Sequence, residues 1–88
     1  MRQQVRFIGR VQGVGFRATA RQVARGYHIS GWVRNEPDGS VILEAQGTPE
    51  DLEAFLAELD EMTTGLVKLR HIGDLAELPG EREFVIAP

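Results

Sequence analysis

Eighty-eight residues, 42% hydrophobic and 26% charged, suit one soluble globular domain with a modest core, residues 1–88 being read as a single unit. The absence of cysteine excludes disulfides, thiolate metal sites and thiol nucleophiles, and two histidines, His28 and His71, are too few for a convincing zinc site. A net charge of −3 weighs against a general nucleic-acid binder, and with no apolar signal region or membrane-spanning run the expected compartment is the cytoplasm.

A β-branched, alternating run predicts a first strand over residues 3–11, with Val5, Phe7, Gly9 and Val11 on one face and Arg6, Ile8 and Arg10 on the other. A first helix is expected over 16–25, its apolar positions Phe16, Ala20 and Val23 at helical spacing, with Gly26 as the C-cap. Residues 27–35 and 40–46 read as two strands. Glu36-Pro37-Asp38-Gly39 between them makes a hairpin turn. The second helix is the clearest element: Thr48 caps it, Pro49 occupies its first position, and Leu52, Phe55, Leu56 and Leu59 form the buried stripe. A strand over 66–72, of ambiguous parity, a polar loop, and a short strand over 82–86 complete the chain. The order βαββαβ with a terminal strand predicts an α+β, ferredoxin-like sandwich: an antiparallel sheet of four to five strands with both helices on one face. The expected strand order is 4-1-3-2, with strand 5 beside strand 2.

The most informative stretch is Gly9-Arg10-Val11-Gln12-Gly13-Val14-Gly15-Phe16-Arg17, a strand, a glycine-rich loop and a helix start. Free N–H groups at a helix N-terminus attract anions, and glycines let the backbone bend into a nest of amides. Arg17 adds a planar, permanently charged fork suited to phosphate. Gln12, Gly13, Val14, Gly15, Phe16 and Arg17 are therefore the candidate phosphate loop, within which Gln12 reads as shaping the loop through side-chain hydrogen bonds or as a plain exposed polar residue. A glycine turn before a helix is equally often a plain tight connection, and the spacing matches neither a dinucleotide fingerprint nor a Walker loop, whose lysine is missing.

A second segment, Gly31-Trp32-Val33-Arg34-Asn35, then Gly39-x-Val41 and Gly47, shifts the balance. Together with Gly9-x-Val11-Gln12-Gly13-Val14-x-Phe16-Arg17 it resembles the two signatures of the acylphosphatase family, in the family's order. The resemblance covers residues 9–47, and 48–88 match it only as a pattern of elements. It implies hydrolysis of acyl phosphates to carboxylate and phosphate without a metal or other cofactor, with Arg17 binding phosphate and Asn35 orienting water. Ala18 and Thr19 are smaller than the bulky residues expected after the arginine, which bears on the rim of the pocket.

The residues lead to the same chemistry. If strand 3 lies between strands 1 and 2, the C-terminal ends of strands 1 and 2 share one sheet edge about 10 Å apart, two interstrand spacings. The loop leaves one end and Asn35 occupies the other, on the helix side. With no Cys and no defensible Ser-His-acid set, water is the remaining attacker. Arg17 and the amides would stabilise the phosphoryl charge, while the Asn35 carboxamide holds the water. Neither is a base at neutral pH, so the substrate must be labile: an acyl phosphate and not a phosphate monoester. Phosphate is then product and inhibitor, with no nucleic-acid or membrane partner and a monomer as the expected state.

The plainer readings are specific. Arg17, Arg21 and Arg25 fall at i, i+4, i+8, an ordinary charged stripe, and that reading is kept for Arg21 and Arg25. Asn35 by itself is a common residue before a turn. Trp32 sits with Arg34, Ile8 and Ile42 on the sheet face away from the helices, a half-buried aromatic. Two other functions stand beside hydrolysis. One is a phosphate- or carbamoyl-phosphate-binding module such as begins the larger hydrogenase-maturation carbamoyltransferases, which carry zinc-binding cysteines. The other is an RNA-binding ferredoxin-like domain, which would want aromatics on strand 1 that Gln4–Val11 does not supply.

Overall fold

The computed structural model describes all 88 residues, Met1–Pro88. Seven elements follow in the expected order: β1 (Arg2–Gly9), α1 (Phe16–Ala24), β2 (Ser30–Asn35), β3 (Val41–Gln46), α2 (Pro49–Met62), β4 (Val67–Leu75) and β5 (Phe84–Ile86). They form one five-stranded sheet of order β4-β1-β3-β2-β5. The three pairings among β4, β1, β3 and β2 are antiparallel, as expected, while β5 joins β2 in parallel, so the sheet is mixed.

The core is one cluster of 15 buried residues drawn from the sheet and both helices. Val5 pairs with Leu43 and Phe7 with Val41, and these pairs, none of them exposed to solvent, turn towards the helices. Helix α2 follows its sequence signals closely: the Thr48 hydroxyl accepts the Asp51 amide at 3.1 Å, Pro49 opens the helix, and Leu52, Phe55, Leu56 and Leu59 are buried. Burying such side chains contributes roughly 1.5–3 kcal/mol each before conformational entropy is counted.

Several boundaries move for local reasons. β1 stops at Gly9 and not at Val11, because its register against β4 slips between Ile8 and Gly9. The C-cap of α1 is Arg25 and not Gly26 as expected. The helix ends in right-handed geometry at Arg25, and the amides of Arg25, Gly26 and Tyr27 close a tight turn onto Gln22, Val23 and Ala24. That turn consumes the chain after α1, so β2 begins at Ser30 and not at Tyr27. β4 runs three residues further than expected, to Leu75. Its parity is settled by pairing: Arg70 and Ile72 lie opposite Phe7 and Val5 on the helix side, where Arg70 reaches Asp60 of α2. On the far face Trp32 is half-buried beneath Arg34, whose guanidinium lies 4.8 Å from the ring centre.

Candidate active site

The loop between β1 and α1 is buried at both ends and exposed at its tip. Val11 and Phe16 are each 1% exposed, whereas Gly13, Val14 and Gly15 are exposed. Gly13 (φ 73°) and Gly15 (φ 79°) are left-handed, and Val14 between them is not. Backbone of alternating hand turns successive amides into one concavity, the geometry that binds anions. A side chain would meet nothing at either glycine, so it is the backbone conformation that calls for glycine there.

Helix α1 starts without a side-chain cap. The Gly15 carbonyl accepts the Thr19 amide at 2.9 Å, but no side chain takes an amide of the first turn, and that turn holds no acidic residue. A Ser or Asp at this position would have consumed one of those amides. The amides of residues 13–18 donate to no protein acceptor. Arg17, half-buried beside them, makes no ion pair with any carboxylate. A cation in the first turn opposes the helix dipole, so this end of α1 concentrates uncompensated positive potential.

Asn35 ends β2 opposite Val41, on the core side of the sheet. Its Oδ1 is buried without a hydrogen-bond partner, the only such side-chain atom in the protein. The strand order brings the two motifs together: β3 separates β1 from β2, so both strands deliver their C-terminal ends to the same edge. There a cleft of about 240 Å³ is lined by Val11, Gly13, Gly15, Phe16, Arg17, Ala18, Asn35 and Ile86. This is smaller than the ~300–1,000 Å³ of pockets that take drug-sized ligands.

Of the residues singled out from sequence, Gly13, Gly15, Phe16, Arg17 and Asn35 meet in this cleft. Val14, at the exposed tip of the loop, and Gln12 do not line it. Gln12 faces the hairpin instead: its Nε2 donates to the carbonyls of Glu36 at 2.8 Å and Ser40 at 2.9 Å. Arg21 and Arg25 are solvent-exposed, in keeping with an outer stripe. Ile86 was missed. It lies opposite Val33 in the parallel pair, two residues before Asn35, and the Ala87 amide donates to the Val33 carbonyl at 2.9 Å. The expected place of strand 5 beside strand 2 pointed to this neighbourhood, but not to the register.

The sequence model of the acylphosphatase family matches residues 3–86, nearly the whole chain. The chain belongs to the acylphosphatase family. Among curated acylphosphatases, that of Oceanobacillus iheyensis is 45% identical over 76 residues, spanning 84% of each chain. The crystal structure of acylphosphatase from Bacillus subtilis superposes with a TM-score of 0.89 at 30% identity, covering 99% of this chain and 98% of that one. The same acylphosphatase shape recurs in T. kodakarensis HypF (TM-score 0.85, 25% identity), where this chain spans only 12% of the larger protein.

Proposed function

We propose that the chain cleaves the carboxyl–phosphate anhydride of acyl phosphates by direct attack of water, with Arg17 and the loop amides holding the phosphoryl group and Asn35 holding the water. One observation carries this reading: the unbonded amides, the unpaired Arg17 and the orphaned Asn35 Oδ1 all meet in one small cleft. A buried carbonyl oxygen without a partner is costly, and a water molecule donating to it would repay that cost while fixing the water's lone pair towards phosphorus. Attack forms the new phosphorus–oxygen bond as the bond to the acyl oxygen breaks. The carboxylate leaves and the water's second proton passes to solvent. Arg17 and the amides meet the charge that grows on the equatorial oxygens, with little reorganisation because the backbone is already bent.

The lining fits a labile substrate. None of the eight residues is a carboxylate, histidine, serine or cysteine, so the cleft offers neither a general base nor a nucleophile of its own. A carboxylate leaves readily without protonation, whereas the alkoxide of a phosphate monoester does not. The same reading has residues 1–88 act as one domain in the cytoplasm, with phosphate as both product and competitive inhibitor.

The test is phosphate release from a synthetic acyl phosphate with a metal chelator present and a phosphate monoester as control. Hydrolysis of the first alone, inhibited competitively by inorganic phosphate, is expected. Activity that vanishes with the chelator and returns with a divalent ion would overturn the mechanism.

A further inference from the structure

Gln12 belongs to the loop by sequence yet turns its side chain away from the cleft. Its Nε2 spends both hydrogens on the β2–β3 hairpin, one on the Glu36 carbonyl and one on the Ser40 carbonyl, 24 and 28 residues away. These are the two closing residues of the turn: the Glu36 amide donates to the Ser40 carbonyl at 2.9 Å, and the Gly39 amide to the Glu36 carbonyl at 3.1 Å. Glu36 directly follows Asn35, and Gln12 directly precedes Gly13. No other hydrogen bond joins residues 11–15 to residues 36–40.

We infer that Gln12 is a positioning residue, the strut that sets the separation between the anion cradle and Asn35. The inference rests on the roles given above to the cradle and to Asn35. Between its buried ends the loop has no packed side chain of its own, so little else holds its middle against the hairpin. Binding of phosphate needs only the cradle and Arg17, which stand on β1 and α1. In-line attack needs the cradle and the Asn35-bound water in mutual register, and a misplacement of about 1 Å can cost ~100-fold in rate. Losing the strut therefore costs turnover more than affinity.

The experiment compares wild type, Gln12→Met, which keeps the length and removes the donors, and Gln12→Glu, which sets a carboxylate against two carbonyl oxygens. Synthetic acyl phosphate is the substrate and inorganic phosphate the binding probe. For Gln12→Met, kcat should fall ~10–100-fold while the phosphate inhibition constant changes less than about threefold. Gln12→Glu should be worse at pH 7 and recover relative to wild type towards pH 5, since its carboxyl, raised by the facing carbonyls, regains an O–H donor on protonation. The Gln12→Met profile should show no such recovery. Hydrogen exchange at the Glu36 and Gly39 amides, which needs no activity, should quicken in Gln12→Met while Val33 and Leu43 stay protected.

Unchanged kcat, loss of phosphate affinity in step with kcat, a flat pH ratio for Gln12→Glu, or unchanged exchange at Glu36 and Gly39 would each overturn the inference. Failure of the wild type to release phosphate would instead strike the proposed function, and the exchange measurement would still decide whether the strut exists.

Discussion

The Phe16 ring stands 4.9 Å from the Phe7 ring, tilted by 56°, so the first residue of α1 packs directly onto the strand that leads into the loop. Phe7 is on the core face of β1 and Phe16 closes the far end of the glycine loop. One aromatic contact thus clamps both ends of the cradle to the same point of the core. The glycines between are free to bend because their flanks cannot move.

Phe16→Ala should test this clamp. Removing a fully buried ring costs about 3–5 kcal/mol, read as a lower denaturant midpoint, while Phe16→Leu should cost less than half as much. Where Phe16→Leu remains folded at low denaturant, its phosphate affinity should fall several-fold, because the α1 amides lose their reference to β1. Calorimetric titration with phosphate checks this, and an affinity equal to wild type would show that the loop keeps its shape without the aromatic pair.

Arg17 and Asn35 should separate binding from water positioning. Arg17→Lys retains charge but not the two-pronged plane, and a loss of at least ~100-fold in kcat/KM is expected with circular dichroism unchanged. Asn35→Ala should lower kcat and kcat/KM together by ~100-fold or more while phosphate binds nearly as well, the signature of a contact made chiefly in the transition state. Steady-state kinetics beside calorimetry decides between the two roles. A variant at Asn35 that loses phosphate affinity as badly as one at Arg17, or keeps full turnover, removes the proposed role.

A third expectation concerns the opposite end of the sheet. Arg2 is 1% exposed, its guanidinium bonded to Glu44, Gln46 and Glu81, and Glu81 also accepts the Ser30 hydroxyl. Gln46 in turn exchanges two bonds of 2.8 Å with the backbone of Leu78. Desolvation disfavours the buried charge, but its bonds to Glu81 and Glu44 outweigh that and raise the Arg2 pKa above its ordinary value. This clasp ties β1 and β3 to the connection that leads into β5. Arg2→Met leaves two carboxylates without their cation and should cost ~2–4 kcal/mol of stability, discounted for their partial exposure. Chemical denaturation measures it. Because the clasp lies far from Arg17, kcat at low temperature should stay within about twofold of wild type, and a large loss there would show coupling through β5 to Ile86.

How much of this was legible in the sequence differs from residue to residue. Helix α2 could be read almost to its bounds because each signal is local: a hydroxyl three residues before the amide it caps, a proline at the first helical position, and leucines at helical spacing. The cradle was legible for the same reason, since Gly13, Gly15, Phe16 and Arg17 lie within five residues and their geometry follows from backbone sterics. The meeting of the loop with Asn35 needed one further step, the strand order, which the alternation of strands and helices supplied.

Tertiary structure decided what depends on register between distant strands. Nothing near Ile86 in the chain marks it as a cleft residue; only the parallel pairing of β5 with β2 sets it beside Val33 and Asn35. Arg2 lies just before the strand expected over 3–11, where nothing local marks it for burial; it is buried because residues 76–83 fold back across that end of the sheet. Gln12 reads as a loop residue that shapes the loop through side-chain hydrogen bonds, but that its partners are carbonyls 24 and 28 residues downstream is set by the fold alone. Local steric preference and hydrophobic period are written in neighbouring residues, whereas hydrogen-bond partnership between segments is fixed by how the core packs, and a single residue's shift of register sends a side chain to the other face.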